Sequence, residues 1–222
     1  MVIRIGVIDS GGPLTEIEGS LAFRADGVVE PCVPDRLGHG TKVAEVIRNS
    51  CSAVVITHAQ VFHERPVTSA LQVAMAVDWF VSRPPPDRVD IICMSLGLAA
   101  DRVSLREAIH RASRQKMLIV AASPARGIAC YPAGYDSVIG GTGDARCQWE
   151  QLSRLGPRLF GAWSNSPEYG GTGMAGASLG AARVAGYLAR ILMEEGRALE
   201  FKEALYLMGA RCDFFGAEKR VS

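Results

Sequence analysis

Val2-Ile3-Arg4-Ile5-Gly6-Val7-Ile8-Asp9-Ser10-Gly11-Gly12 is the stretch on which the fold turns. Its first seven residues are almost wholly apolar and mostly β-branched, with no sustained polar alternation. A strand buried on both faces reads this way, and such strands belong to parallel sheets covered by helices. The run ends at Asp9, before a Ser-Gly-Gly of good turn chemistry. Asp9 therefore stands at the carboxyl end of a strand, the edge along which open α/β sheets build their sites. Taken alone, it is equally well explained as a turn residue.

Similar runs recur. Residues 53–62, 89–94, 117–122 and 137–141 read as strands. Residues 67–81 carry Ala70, Val73, Ala74, Val77 and Phe80 at helical spacing and stop before Pro84-Pro85-Pro86; residues 104–114 read as a second helix. Strand and helix alternate, which predicts an α/β fold with a mostly parallel sheet and helices on both faces. Residues 13–37, with Pro31 and Pro34, carry little signal and are expected to be irregular. No repeat, low-complexity tract or long linker divides the 222 residues, so one domain over 1–222 is expected.

Composition excludes several function classes. The chain is 48% hydrophobic and 21% charged, with formal net charge +1. That balance gives no expectation of nucleic acid or an anionic membrane surface as a partner. No apolar run reaches the roughly 18 residues of a membrane span. The amino terminus has no basic region followed by a small-residue cleavage site, so no signal peptide is expected. Cys32, Cys51, Cys93, Cys130, Cys147 and Cys212 form no Cys-x-x-Cys pair. Reduced thiols in a cytoplasm follow. Asp26, Asp35, Asp87 and Asp90 lack the spacing of a calcium loop. Neither a metal nor a cofactor is expected. His58 and His63, in or beside a strand, read as structural histidines, and His110 as a helix-surface residue.

Two further stretches carry candidate chemistry. Gly38-His39-Gly40-Thr41 sets a histidine between glycines ahead of the amphipathic Lys42-Val43-Ala44-Glu45-Val46-Ile47. Gly176-Ala177-Ser178 opens a helix of small apolar residues: Leu179, Ala181, Ala182, Val184, Ala185, Leu188, Ile191 and Leu192 leave almost no polar face, so this helix is expected to be buried. A serine in its first turn meets free amide N–H groups and the positive dipole end, which favour developing negative charge. An ordinary N-cap serine explains Ser178 as well.

Asp-Ser-Gly at Asp9, Gly-His-Gly-Thr at His39 and Gly-x-Ser-x-x-x-x-x-Val-Ala-Gly at Ser178, in that order, resemble the subtilisin-like serine proteases, the subtilases. Further segments share the resemblance: Ile92-Cys93-Met94-Ser95-Leu96-Gly97, Leu118-Ile119-Val120-Ala121-Ala122, Tyr131-Pro132-Ala133 and Leu155-Gly156-Pro157. The resemblance implies a three-layer subtilisin-like fold and an Asp9–His39–Ser178 triad. A serine nucleophile needs a base within reach and a group that fixes the base's tautomer. It also implies that Ser95, Leu96 and Gly97 bind substrate backbone by strand pairing, and that a cis proline is common at the Tyr-Pro segment.

Two departures from the family pattern bear on the chemistry. Gly171-Thr172-Gly173-Met174-Ala175 looks like the family's Gly-Thr-Ser-Met-Ala with its serine lost. Only the register through Ser178, however, keeps the distance to Val184-Ala185-Gly186. Ala182 and Arg183 then replace the usual Pro-His pair. The second departure is an absent asparagine. Subtilases place one after the Ala-Ala strand to donate to the oxyanion, and here the sequence is Ser123-Pro124-Ala125-Arg126-Gly127. Losing such a donor costs about 10²–10³ in rate, a figure measured on subtilisin itself. The candidate donors are the Ser178 amide, Ser123, Arg126, a backbone N–H of residues 123–127, and Asn165.

These readings predict a serine endopeptidase that acts on a polypeptide, and the chain's economy points to one cognate precursor. It starts at the first strand, so no pro-segment is expected, and it is shorter than most subtilase catalytic domains. It resembles the small dedicated subtilases that remove leader peptides. The alternative is a catalytically silent subtilase fold that binds a peptide.

Overall fold

The computed structural model describes residues 2–124, 127–128, 130–166 and 174–217. In chain order the first half contains β1 (Ile3–Asp9), β2 (Leu21–Phe23), β3 (Val29–Pro31), α1 (His39–Ser50), β4 (Val54–Gln60), α2 (Ala70–Ser82), β5 (Ile91–Met94) and α3 (Val103–Arg114). The second half contains β6 (Leu118–Ala122), β7 (Ile139–Gly143), β8 (Leu152–Arg154), β9 (Leu159–Ala162), β10 (Asn165–Ser166), β11 (Met174–Ala175), α4 (Ala177–Glu195), α5 (Phe201–Ala210) and β12 (Phe214–Phe215).

Among the described residues one ten-stranded sheet runs β12-β8-β9-β7-β6-β5-β1-β4-β2-β3. Its centre, from β7 through β6, β5 and β1 to β4, is parallel throughout. β1 lies mid-sheet, with Asp9 level with Gln60 of β4. The double-sided burial read from the sequence is visible residue by residue. Ile91 and Cys93 pack into the core shared with α1 and α4, whereas Ile92 and Met94 pack into the core shared with α2 and α3. Leu118 and Val120 divide from Ile119 and Ala121 in the same way. Helices therefore cover both faces, and the three-layer α/β arrangement holds.

α4 is buried because its small residues let it lie close to its neighbours. A Cβ at Gly180 would collide with the Thr142 carbonyl of β7, and one at Gly186 would press on Ser50 and Ile47 of α1. α2 starts at Ala70, later than the spacing suggests, because Ser69 and Gln72 form a reciprocal capping box. The Tyr131–Pro132 peptide bond is cis.

Two regions differ from the sequence reading. Residues 13–37 are irregular only in part. A short 3₁₀ turn, Leu14–Glu16, is followed by β2 and β3, which extend the sheet beyond β4. Each strand has three residues, too few to show a period. Pro31 is tolerated because β3 is the edge, where a missing N–H breaks no ladder. β8, β9 and β12 extend the opposite side and were equally hidden by their length. Among the described residues, no helix is long and apolar enough to cross a membrane.

Candidate active site

Asp9 is the last residue of β1 and is fully buried. Its Oδ1 accepts hydrogen bonds from the Ser10 amide and from His39 Nδ1, each at 2.7 Å. Its Oδ2 has no hydrogen-bond partner among the described residues. His39 opens α1, and local geometry explains the glycines around it. Gly38 has φ 72°, a left-handed value that a side chain disfavours. Gly40 comes so close to Gly11 that a Cβ would strike the Gly11 carbonyl, and the Gly40 amide donates to Ser10 Oγ at 2.8 Å. The two motifs are thus pressed together through their glycines and Ser10.

Asp35 completes the mounting. Its carboxylate accepts from the amides of Leu37, Gly38 and Thr41 at 3.0, 2.8 and 2.8 Å, and from the Thr41 hydroxyl at 2.9 Å. Asp35 is not among the site residues expected from the sequence. The signal that finds it is an aspartate shortly before a helix start, where orphan amides need an acceptor. Asp9 holds His39 above its ordinary pKa of 6.5, first through their hydrogen bond; burial works in the opposite direction, and the charges of Asp9 and Asp35 add to the rise.

Ser178 is the second residue of α4. Gly176, before it, has φ 134°, a conformation for which only glycine is suited. Ser178 Oγ donates to the Ser95 carbonyl at 2.9 Å rather than to His39, and Ser95 Oγ donates to the Ser178 carbonyl at 3.1 Å. Ser178, His39, Ser95, Leu96 and Gly97 line one cleft of about 650 Å³, walled by Leu37, Phe62 and Leu98 among others. The strand after Gly97 is partly occupied, because Leu98 and Tyr131 exchange both backbone hydrogen bonds. Gly97 itself is required by contact: a Cβ there would lie 2.9 Å from Cys130 Sγ.

Within this arrangement Asp9 and His39 are bonded, and His39 shares a cleft with Ser178. Transfer of the Ser178 proton to His39 requires the hydroxyl to turn away from the Ser95 carbonyl. The oxyanion candidates separate. The Ser178 amide lies in the first turn of α4, where N–H groups have no intrahelical partner. Ser123, by contrast, lines a different cavity of about 190 Å³ with Ala133, Gly140 and Arg158; its hydroxyl donates to the Pro124 carbonyl at 3.4 Å. Asn165 begins β10, and its carbonyl accepts from Arg183. Neither is among the residues that line the cleft of His39 and Ser178. Arg126 and Gly171-Thr172-Gly173 lie outside the described residues. His58 is fully buried in β4 and His110 is exposed on α3, as expected of structural and surface histidines. Among the described residues, no group of three or more His, Cys, Asp or Glu is placed to hold a metal ion.

The chain belongs to the Subtilase family, peptidase S8, which it matches over residues 5–203. It is 31% identical over 150 residues to the minor extracellular protease Epr of Bacillus subtilis, covering 62% of this chain and 22% of that protein. It thus spans about a fifth of the length of that relative. Among solved structures, a cold-adapted subtilisin-like serine proteinase superimposes with TM-score 0.74 at 22% identity, over 94% of this chain and 81% of the other. A lanthipeptide protease superimposes with TM-score 0.69 at 19% identity, over 92% and 78%. At these identities the two structures speak for the fold.

Proposed function

We propose that this chain is a serine endopeptidase in which Ser178 attacks the scissile carbonyl, His39 takes and returns the proton, and Asp9 fixes the His39 tautomer. The observation that carries this reading is the 2.7 Å contact between Asp9 Oδ1 and His39 Nδ1, in a cleft that also contains Ser178. Because the carboxylate accepts from Nδ1, Nε2 is left as the acceptor that a general base needs. The Ser178 amide is the oxyanion donor of this reading. Ser95, Leu96 and Gly97 align the substrate strand. Membership of the subtilase family supports all three roles.

The substrate in this reading is one precursor polypeptide from which a leader or pro-segment is removed. Two features support it. The family's oxyanion asparagine is missing from the Ser123–Gly127 stretch, so intrinsic catalysis is weak and a substrate must contribute binding energy elsewhere. The similarity to a lanthipeptide protease points the same way. By sequence resemblance, the small protease that matures quinohemoprotein amine dehydrogenase is a further example of such a dedicated enzyme. The six free cysteines suit a reducing compartment, and we place the protein in the cytoplasm.

A second reading, a silent peptide-binding subtilase, is favoured by one observation: Ser178 Oγ is bonded to the Ser95 carbonyl and not to His39. Hydrolysis separates the two. The proposed function predicts cleavage of a cognate precursor at one site and no digestion of casein, with cleavage abolished in Ser178→Ala. Broad caseinolysis contradicts the dedicated role. Tight binding of precursor without turnover establishes the silent reading.

A further inference from the structure

Arg183 stands where subtilases carry the histidine of their Pro-His pair, and it is 1% exposed, the largest fully buried side chain among the described residues. A guanidinium is costly to bury unless the fold gives it partners. Two of its contacts are informative. Its guanidinium carbon lies 3.6 Å from the centroid of the Trp149 ring. Its Nη2 donates to the Asn165 carbonyl at 3.0 Å. A planar guanidinium can stack on a ring and donate from its edge at the same time, which a lysine ammonium cannot.

The Asn165 carbonyl is not an arbitrary acceptor. Asn165 pairs with Ala175 in the two-stranded sheet of β10 and β11. From Ala175 the chain passes through Gly176 to Ser178, and the Gly176 amide donates to the Ser164 carbonyl at 3.0 Å. Arg183 is itself five residues beyond Ser178 on the same helix. The contacts close a ring: helix to arginine, arginine to Asn165, Asn165 to Ala175, and Ala175 back to the nucleophile. Gly176, with φ 134°, makes the turn within that ring. One turn further along α4, Tyr187 donates to the Glu150 carbonyl at 2.6 Å, so the segment carrying Trp149 is docked on this helix face at two points.

We propose that Arg183 is a positioning residue for Ser178. It clamps β10, the strand paired with the one that leads into the nucleophile, onto the helix that follows, with Trp149 as the backing plate. The proposal rests on the reading of Ser178 as nucleophile. It replaces the family's Pro-His device with a buried cation that sets where Ser178 sits in the cleft.

The test is the second-order rate at which a fluorophosphonate labels Ser178, measured with the thermal midpoint and the hydrogen exchange of the Gly176 amide. Arg183→Met, which keeps bulk but has no donors, is expected to slow labelling by up to about 10²-fold, the cost of a small displacement of a reacting group. The exchange of Gly176 is expected to quicken. Arg183→Lys recovers little of the rate, whereas sub-denaturing guanidinium added to Arg183→Ala restores part of it. Trp149→Leu leaves the arginine in place and is expected to give a smaller drop of the same kind, which covers the case in which an arginine variant does not fold. Labelling at the wild-type rate with unchanged Gly176 exchange, in both Arg183→Met and Trp149→Leu, overturns the proposal. Wild-type protein that never labels instead refutes the nucleophile reading. The exchange of Gly176 then still decides whether Arg183 clamps the strand.

Discussion

Asp9 uses one carboxylate oxygen for both the Ser10 amide and His39 Nδ1. Removing its charge while keeping its shape is therefore a clean intervention. Asp9→Asn is expected to lower kcat by about 10⁴-fold, the loss seen when a serine protease triad loses this carboxylate. It also removes the main cause of the raised His39 pKa. Because the base must be neutral, wild-type kcat/KM is expected to rise with pH through an inflection above 6.5, and the inflection should move down in Asp9→Asn. An unmoved inflection contradicts the assignment of His39 as the base. His58 is the opposite kind of histidine. It is fully buried, neither ring nitrogen has a partner among the described residues, and burial pushes its pKa down to about 4. Its folded pKa is depressed, so the unfolded chain binds the extra proton between about pH 6.5 and pH 4. Stability is therefore full above 6.5 and falls as pH drops through that window. Each pKa unit is about 1.4 kcal/mol, which gives roughly 3 kcal/mol in all. Melting curves from pH 7 to pH 4 should show a shallower acid loss for His58→Leu than for wild type; parallel losses contradict this account. At this scale the sequence revealed which histidine sits between glycines. It did not reveal where the Ser178 hydroxyl points, because the competing Ser95 carbonyl comes from the segment after β5, distant in sequence.

At the scale of elements, the site is built where β1 ends and where α1 and α4 begin. Their starts differ in what anchors them. α1 is anchored by Asp35, whose carboxylate gathers three amides and a hydroxyl. Asp35→Ala is expected to cost about 1–2 kcal/mol in urea unfolding, in the range of a lost helix cap. It should also reduce kcat/KM, since His39 is the first residue of the helix so loosened. Asp35→Asn should recover part of both. Loss of stability with unchanged kcat/KM would show that the cap does not position His39. β5 and β6 were legible, although β5 has only four residues, because every residue from Ile91 to Met94, and from Leu118 to Ala122, must be apolar to fit between two layers of helices. β2, β3 and β8–β12 have two to four residues each. No two- or threefold periodicity can be recognised in so few positions. Their pairing is fixed by neighbours distant in sequence. The oxyanion donor was illegible for the same reason: it depends on where loops meet. Ser123 follows β6 directly, yet it faces a different cavity from Ser178.

At the scale of the whole molecule, a parallel sheet brings Asp9, His39 and Ser178 to one edge from positions 169 residues apart in the chain, counting from 9 to 178. The order of the three motifs was readable without coordinates, because each is a short local pattern of glycines around one reactive residue. Their convergence depends on β1 lying mid-sheet and on α4 packing tightly against β7. That convergence makes Ser178 a nucleophile that His39 activates in the proposed function. Reaction of the intact protein with a fluorophosphonate, followed by mass spectrometry of its peptides, tests this most directly. The expected result is a single adduct on Ser178, absent from Ser178→Ala and strongly slowed in His39→Ala. Failure of the wild-type protein to label, or an adduct that persists in Ser178→Ala, contradicts the claim.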